Sequence, residues 1–362
     1  MSERLHVAVD ANVLEAAWGG IPKHLHRVAA ELAAAGDRVD LLVNLRRWES
    51  PVPGARAVPL RLRGRELWRD LAVPLWARSH RPDVLWAPET ILPRRIGVPT
   101  VTTVHDLAPL IFPGSKPPAV ERRFATAIPR SVRSATRVIC VSEATAGEVR
   151  TRWGVGGAAV IGNGVDDRFA PGDAAAERRW ASATFGIHEP FILHVGSLEP
   201  RKGLDVLIEA ARREGGWQLV LAGQPGHEGE RILDDARGVG AAWLADPDDD
   251  ALARLYRAAE VVAVPSLYEG FGIVPLEAMA SGTPVVVAAG AGALGEVAGD
   301  AAIEVAERTG EAWGAAIATA RERQAELRAA GLERAAEHRW PRVAEAVRAV
   351  LAEAAAAKRG AR

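Results

Sequence analysis

Short, continuously apolar runs alternate with longer helical patterns along almost the whole chain. The apolar runs cover residues 5–9, 39–43, 84–87, 100–104 and 137–141, and then 191–195, 218–222, 261–264 and 284–288. Strands that are apolar throughout are typical of a parallel sheet covered by helices on both faces. The intervening segments that predict helices are 22–35, 65–78, 119–134, 143–152, 204–214, 249–259 and 275–281. The alternation predicts right-handed βαβ units and an α/β fold of doubly wound parallel sheets.

The chain length and one polar segment predict the domain organisation. A chain of 362 residues suits two domains. The segment 166–190 is polar, contains Pro171 and Gly172, and precedes a new strand, so it predicts the break between domains. We therefore expect an N-terminal domain over 1–168 and a C-terminal domain over 169–340. Residues 341–362 predict an Ala-rich helix that returns toward the first domain.

The cysteine content and the lack of long apolar segments bear on the cellular compartment of the protein. The single cysteine, Cys140, lies in an apolar run and is expected to be a core residue. The N-terminus lacks the pattern of a signal peptide, and no apolar stretch approaches the roughly 18 residues of a spanning helix. These features predict a cytoplasmic protein.

The charge is balanced overall but unevenly distributed. The net charge of −1 argues against a dedicated nucleic-acid binder, yet residues 1–170 carry +7 and the remainder −8. A basic first half favours an anionic acceptor or an anionic membrane surface, although abundant arginine on solvated helices explains it equally well. The segment 61–78 is basic and contains Trp68 and Trp76, which suggests peripheral membrane contact, although one apolar face is needed for the core.

Two segments of the second half follow strands and suit a bound diphosphate. Gly270, Phe271, Gly272 and Ile273 precede a helix predicted to start near Pro275, where backbone N–H groups and the helix dipole receive anions. Arg201 and Lys202 stand at the start of another predicted helix, where cations oppose the dipole unless a phosphate compensates them. The alternative is that both cations are simply solvated.

Polar residues with open roles surround these segments. Glu269 precedes the glycine turn and Glu277 lies in the first turn or so of the helix, where it either accepts from ribose hydroxyls or serves as a first-turn dipole partner. In the first half, Gly19 and Gly20 form a glycine-rich loop after the first strand. His105 and Asp106 end the strand 100–104, and ligands bind at the carboxyl ends of such strands.

Arg201-Lys202-Gly203, followed by Glu269-Gly-Phe-Gly-x4-Glu277-Ala-Met-x2-Gly-x-Pro-Val, resembles the retaining glycosyltransferases of family 4. The resemblance implies the GT-B architecture, two Rossmann-like domains facing across a cleft with the sugar donor between them. It also implies a role for each matching residue. Arg201 and Lys202 bind the donor diphosphate, Glu277 holds the ribose, and Glu269 with the backbone of 270–273 faces the transferred sugar and phosphates.

The same resemblance implies that His105 contacts the donor sugar, that Asp106 orients this corner, and that the Gly19–Gly20 loop closes over the phosphates. Gly196 and Ser197 belong to the donor site, but Ser197 stands where many relatives carry an additional arginine. The expected reaction transfers a hexosyl group from a nucleoside diphosphate sugar with retention, without metal or cofactor. The run 104–113 resembles mannosyl- and rhamnosyltransferases and favours GDP-mannose, with UDP- and dTDP-sugars open. The acceptor is a glycan, a lipid-linked molecule or a small molecule, and we expect a monomer or weak dimer.

Several alternatives stay open. A nucleotide-sugar epimerase or an inactive binding module would share the architecture. Gly290-Ala-Gly292-Ala-Leu-Gly295 fits a dinucleotide-binding motif, but it lies late in the chain, and no compelling acidic residue stands at a strand end about 20 positions later. The acidic run 246–250 suggests a metal site, but capping of the following helix explains it better.

Overall fold

The computed structural model describes residues 4–15, 19–114, 118–188 and 190–359. The chain divides into two compact units. Unit 1 comprises Met1–Gly164 and Trp340–Arg362, and unit 2 comprises Val165–Arg339. The C-terminal helix therefore belongs to unit 1.

Unit 1 contains a parallel sheet that has seven strands in its described part, in the order β3-β2-β1-β4-β5-β6-β7. The strands are β1 His6–Asp10, β2 Arg38–Val43, β3 Arg56–Pro59, β4 Val84–Ala87, β5 Thr100–Val104, β6 Arg137–Cys140 and β7 Ala159–Val160. The helices are α1 Gly20–Ala34, α2 Arg65–Leu67, α3 Val73–His80, α4 Ala108–Ile111, α5 Pro118–Ser134, α6 Glu143–Trp153 and α15 Trp340–Arg359. A 3₁₀ turn spans Asn12–Glu15, and a π-helical turn, Trp68–Ala72, joins α2 to α3.

Helices cover both faces of this sheet. On one face Leu25 of α1 and Val347 of α15 share a core with Val7, Val9 and other strand residues. On the opposite face Trp68 and Trp76 pack with Leu42, Leu85 and their neighbours. Strands buried on both sides explain the unbroken apolar runs of the sequence.

Unit 2 repeats the arrangement with a parallel sheet of six strands among its described residues, ordered β10-β9-β8-β11-β12-β13. The strands are β8 Phe191–Val195, β9 Gln218–Ala222, β10 Ala242–Leu244, β11 Val261–Val264, β12 Val285–Ala288 and β13 Ala302–Val305. The helices are α7 Ala174–Phe185, α8 Asp205–Arg213, α9 Gly229–Arg237, α10 Asp249–Ala258, α11 Ile273–Ala280, α12 Leu294–Ala298, α13 Gly310–Glu322 and α14 Gln324–Ala336. Two 3₁₀ turns span Pro200–Lys202 and Gly299–Ala301.

The expected fold class, two doubly wound parallel α/β sheets, is confirmed. The segment 166–190, interpreted as the break between domains, contains helix α7, whose N-cap Asp173 accepts from Ala175 N at 3.0 Å. Cys140 is fully buried, as expected, and burial raises the pKa of its thiol to about 12. Among the described residues, no helix is both long enough and apolar enough to cross a membrane.

In both sheets the chain order reverses next to the first strand of the unit. This switch falls between β1 and β4 in unit 1 and between β8 and β11 in unit 2. Open α/β sheets bind ligands beyond the carboxyl ends of the strands at such a point. A ligand site is therefore expected at these two edges.

Candidate functional site

In unit 2, the segments after β8 and β11 carry two of the predicted motifs and touch each other. The strands are hydrogen-bonded neighbours, so their carboxyl ends lie side by side. Leu267 N donates to Arg201 O at 2.8 Å, and Arg201 Nη1 donates to Tyr268 O at 2.9 Å. The Arg201–Lys202 turn and the turn that contains Glu269 thus converge at the switch point of the sheet.

Glu269 is held between the two cations. Its Oε1 accepts from Lys202 Nζ at 2.6 Å and from Ser266 Oγ at 2.7 Å, and its Oε2 lies 3.6 Å from Arg201 Nη1. Burial raises the pKa of Glu269, but the charges of Lys202 and Arg201 outweigh it and hold the pKa below its ordinary value. The carboxylate is therefore ionised at neutral pH and already partly neutralises both cations.

Glu199, which the sequence analysis did not single out, is a second carboxylate in this group. Its Oε1 accepts from Arg201 Nη2 at 2.7 Å and from Ser197 Oγ at 2.9 Å. The expectation that Arg201 and Lys202 oppose a helix dipole is wrong, because both lie in a 3₁₀ turn and α8 begins only at Asp205. Two carboxylates, Glu199 and Glu269, pair with these cations.

Close backbone approaches fix the Arg201–Lys202 turn. Gly203 ends it with φ +64°, and a Cβ built on Gly203 would lie 2.3 Å from Pro265 O. Arg308 Nη1 donates to the same carbonyl at 2.9 Å and its Nη2 reaches Asp205 Oδ1 at 3.1 Å. Gly196, at the end of β8, donates its N–H to Ala222 O at 2.9 Å. The turn is therefore clamped to the segment after β11.

The glycine turn after Glu269 leads directly into α11. The helix starts at Ile273, earlier than expected, and its N-cap is Gly272. Because glycine has no side chain, it offers no side-chain acceptor to the first-turn N–H groups. Phe271 is buried, and its ring meets that of His338 edge-on at 5.9 Å between centroids.

Glu277 is a buried residue of the second turn of α11. It is the fifth residue of the helix and is 5% exposed. Its Oε2 accepts from Tyr256 Oη at 3.1 Å, and burial together with this carboxylate raises the pKa of Tyr256 well above its ordinary value. The interpretation of Glu277 as a first-turn dipole partner is therefore wrong.

The glycine motif at 290–295 packs against the turn of Glu269 through backbone hydrogen bonds. Glu269 N donates to Ala291 O at 3.2 Å, and Ala293 N donates to Glu269 O at 2.9 Å. A Cβ built on Gly292 would lie 2.3 Å from Glu269 O, so glycine is required there by contact. This contact explains Gly292 without a dinucleotide.

The acidic run 246–250 caps a helix, as expected. Asp248 is the N-cap of α10 and accepts from Ala251 N at 2.8 Å. Ser142 likewise caps α6 by accepting from Thr145 N at 3.0 Å. In the part of the chain that the structure describes, no group of three or more His, Cys, Asp and Glu side chains is placed to hold a metal ion.

His105 of unit 1 follows β5 and contacts a second histidine. Its ring meets that of His24 at 4.9 Å between centroids, and His24 Nδ1 lies 2.8 Å from Asn163 Oδ1. Burial, reinforced by His24, lowers the pKa of His105 well below its ordinary value, and burial lowers that of His24 to about 4. Within the described residues His105 Nε2 is buried without a hydrogen-bond partner. A neutral imidazole is therefore available to a hydroxyl group.

The other predicted residues of unit 1 lie at the same sheet edge. Asp106 is exposed, and its Oδ1 accepts from Ala108 N at 3.0 Å. Gly19 caps α1 and Gly20 is its first residue, and both are exposed. A Cβ on Gly20 would meet nothing within 4 Å. Part of this predicted loop, 16–18, lies outside the described residues.

Two family profiles match the chain. The profile of glycosyl transferases group 1 matches residues 182–338, and that of glycosyltransferase family 4 matches residues 18–169. A D-inositol 3-phosphate glycosyltransferase of Segniliparus rotundus is 33% identical over 323 residues, which cover 82% of this chain and 68% of that protein. The chain belongs to the group 1, family 4 glycosyltransferases. Other D-inositol 3-phosphate glycosyltransferases align over less than half of their own length, 46% and 43%.

Solved structures show the same GT-B fold. Sucrose-phosphate synthase from Thermosynechococcus elongatus superposes with a TM-score of 0.78 at 22% identity, covering 98% of this chain and all of that one. Anabaena HepE in complex with UDP and glucose gives a TM-score of 0.75 at 18% identity, covering 96% of this chain and all of that one. The chain therefore shares its fold with solved proteins that are only 22% and 18% identical to it.

Proposed function

We propose that this glycosyltransferase moves a hexosyl group from a nucleoside diphosphate sugar to an acceptor, with retention of configuration and without a metal ion or cofactor. The observation that carries the proposal is the contact between the Arg201–Lys202 turn and the Glu269 turn at the β8/β11 switch point. A leaving diphosphate needs positive charge and oriented N–H groups where its charge develops. Both are present there.

The ion pairs of Lys202 and Arg201 suggest how a diphosphate would bind. Lys202 and Arg201 are paired with Glu269 and Glu199, so neither cation needs to be ordered when the donor arrives. The diphosphate would share these cations with the carboxylates and accept from the N–H groups of 270–273. Such preorganisation lowers the reorganisation cost of the chemical step.

We assign the remaining predicted site residues to binding of the sugar donor. Glu277, oriented by the hydroxyl of Tyr256, accepts from the ribose hydroxyls. In unit 2, Glu269 positions the donor sugar. In unit 1, the neutral His105 offers a hydrogen-bonding group to a sugar hydroxyl, with Asp106 orienting the end of β5. Gly196 and Ser197, which follow β8 in unit 2, contribute to the donor site, and in unit 1 the Gly19–Gly20 loop is assigned to phosphate binding. Positioning and charge neutralisation then supply the rate, and no pair of catalytic carboxylates at glycosidase spacing is needed.

GDP-mannose is the first candidate donor because the run 104–113 resembles mannosyl- and rhamnosyltransferases. UDP-glucose is the second, because the similar structure of HepE was solved with UDP and glucose. The relatives named D-inositol 3-phosphate glycosyltransferases support a small polar acceptor beside the glycan and lipid-linked classes.

Thermal unfolding with GDP-, UDP-, dTDP- and ADP-sugars tests the proposal. At 100 times its Kd the true donor should add about 2.7 kcal/mol of stability and raise Tm by a few degrees, with or without EDTA. Proton NMR of the first product should then show the anomeric configuration of the donor. If no sugar nucleotide raises Tm, the assignment fails. A product with inverted configuration, or loss of transfer in EDTA, would reject retention or metal independence.

We further propose a cytoplasmic location with peripheral contact to an anionic membrane. Leu67, Leu71 and Leu75 lie at a spacing of four residues and are 56%, 50% and 67% exposed, which supports an apolar stripe on this segment. Trp68 and Trp76 cannot contribute, because both are buried in the core. Leu71→Glu should weaken sedimentation with phosphatidylglycerol vesicles, and unchanged sedimentation would reject the contact.

A further inference from the structure

His194 is a fully buried polar residue of strand β8 to which the proposed function gives no role. The other residues of the strand, from Phe191 to Val195, are apolar. A polar group inside a protein is normally hydrogen-bonded, because burial removes it from water. Each of the two ring nitrogens of His194 therefore needs an explanation.

One ring nitrogen has a structural partner. His194 Nδ1 lies 3.0 Å from Ala263 O of the neighbouring strand β11. A carbonyl oxygen only accepts, so Nδ1 carries the proton. Burial lowers the pKa of His194 to about 4, so the imidazole is neutral at physiological pH. The lone pair of the ring is therefore on Nε2, which can only accept a hydrogen bond.

The second ring nitrogen lies beside the cation of the donor site. Within the described part of the chain, His194 Nε2 is buried and has no hydrogen-bond partner. A Cβ built on Gly196 would lie 3.5 Å from His194 Nε2, 3.5 Å from Lys202 Cε and 3.7 Å from Lys202 Nζ. The imidazole lone pair and the ammonium group therefore adjoin the same point, where glycine places no side chain.

Backbone packing fixes this point. Gly196 has φ +147° and donates its N–H to Ala222 O at 2.9 Å. A Cβ built on Gly223, which follows β9, would lie only 2.1 Å from Gly196 O. The backbones at the ends of β8 and β9 are therefore in direct contact, and Gly196 is a rigid neighbour of both His194 and Lys202.

Lys202 has more N–H donors than its contact with Glu269 uses. Its ammonium group carries three donors, and the ion pair that the described chain gives it is with Glu269 Oε1, at 2.6 Å. A bound diphosphate would accept from a second donor. The third donor needs an acceptor close to the ammonium group, and His194 Nε2 is a buried acceptor beside it.

We propose that His194 is a positioning residue for Lys202 in the donor complex, where its Nε2 accepts a hydrogen bond from the ammonium group while Lys202 contacts the leaving diphosphate. The inference rests on the proposed function, because that function brings a diphosphate to Lys202. A neutral acceptor suits this role, since it orients the ammonium group without adding a negative charge that would repel the phosphates. His194 thus acts through Lys202 rather than on the substrate.

Two replacements separate the roles of the two ring nitrogens. In His194→Asn the amide nitrogen takes the place of Nδ1 and keeps the bond to Ala263 O, but the acceptor at Nε2 is lost. In His194→Gln the amide oxygen takes the place of Nε2, but the bond to Ala263 O is lost. The pair therefore distinguishes a link between strands from a positioning role.

The transfer assay uses the donor that thermal unfolding identifies. His194→Asn should lower kcat and kcat/KM equally, by about tenfold or more, with little change in the donor KM, because a hydrogen bond to a charged group is lost in the transition state. His194→Gln should restore kcat to within about threefold of the unchanged enzyme, although it is less stable in urea. If His194 only linked the strands, His194→Gln would be the less active variant, and this result would overturn the inference.

A double-mutant cycle tests whether the effect passes through Lys202. In a Lys202→Ala background, His194→Asn should change the residual kcat/KM less than about twofold. An equal loss in both backgrounds would overturn the inference and leave the proposed function intact.

A spectroscopic measurement on the unchanged chain requires no active variant. With nitrogen-15-labelled histidine, the Nε2 resonance of His194 is identified by its absence from His194→Gln. It should move upfield when inorganic pyrophosphate is added, because the lone pair gains a hydrogen bond. An unmoved resonance at saturating pyrophosphate, or no binding of pyrophosphate at all, would overturn the proposal.

Calorimetric titration with pyrophosphate separates this inference from the proposed function. Binding should weaken by about fivefold or more in His194→Asn and by less than about twofold in His194→Gln. The same pattern in a chain that binds no sugar nucleotide would overturn the proposed function and keep the role of His194. Equal binding by both variants and the unchanged chain would overturn the role of His194 alone.

Discussion

Replacement of Gly292 by alanine tests whether the loop after β12 supports Glu269. Gly292 has φ +66°, and its added Cβ would lie 2.3 Å from the backbone oxygen of Glu269. Real Cβ atoms essentially never come closer than 3.0 Å to such an atom. The two backbones must therefore separate by at least 0.7 Å, the difference between these distances. A carbonyl cannot rotate away as the end of a flexible side chain would.

The magnitude follows from two contributions. The left-handed conformation costs an alanine about 1–2 kcal/mol. The separation strains the hydrogen bonds of Glu269 N to Ala291 O and of Ala293 N to Glu269 O, each worth about 0.5–1.5 kcal/mol. We expect Gly292→Ala to lose about 2–4 kcal/mol of stability. Since misplacement of a positioning group by about 1 Å can cost about 100-fold in rate, kcat/KM should fall by about that factor.

Gly290→Ala is the matched control, because Gly290 has φ +68° and a Cβ there would meet nothing within 4 Å. It should lose the conformational 1–2 kcal/mol and keep its activity. Urea unfolding followed by tryptophan fluorescence and initial transfer rates with the identified donor measure both effects. Equal kcat/KM in the two variants would refute the claim that Gly292 positions Glu269.

Two further predictions concern stability. His194 is fully buried, its Nδ1 lies 3.0 Å from Ala263 O, and burial lowers its pKa to about 4 from an ordinary value of 6.5. Only the unfolded chain binds this proton between those values, so stability is full above pH 6.5 and falls as pH drops toward 4, by about 2 kcal/mol at pH 5. His194→Gln should reduce the slope of the urea-derived unfolding free energy against pH over this range by the contribution of one proton. An unchanged slope would contradict the assignment. Arg348 of α15 makes a two-point ion pair with the buried Asp37, at 2.7 and 2.9 Å. Arg348→Ala should destabilise the chain by about 3 kcal/mol in urea unfolding, because it leaves a buried carboxylate without its counter-charge, and a loss below 0.5 kcal/mol would contradict this.

The strands that sequence patterning predicted and those it missed differ in one physical respect. The inner strands of both sheets are buried on both faces, so each produces an unbroken apolar run. The missed strands, β3, β7, β10 and β13, are the edge strands of the two sheets. In β10, for instance, Trp243 is 37% exposed, and in β7 Val160 is exposed as well. An edge strand contacts less of the core, so its sequence carries a weaker signal.

The residues of the candidate site, like the strands, could be predicted from the sequence only in part. The motifs around Arg201 and Glu269 could be placed from sequence, because each follows an inner strand and parallel neighbours end at the same edge. The roles of Glu199 and Arg308 could not be predicted, because they depend on contacts between loops that form only in the folded chain. Glu199 stands two residues before Arg201, and a carboxylate so near a conspicuous cation was a signal that could have been used.

The central claim is that a donor diphosphate binds where Lys202 meets Glu269. The most direct test is kcat/KM for sugar transfer by Lys202→Ala, with Arg212→Ala, an exposed cation of α8, as control. Loss of one charge-stabilising donor should lower kcat/KM at least 100-fold in the Lys202 variant and less than twofold in the control. Near-normal transfer by a folded Lys202→Ala enzyme would contradict the account.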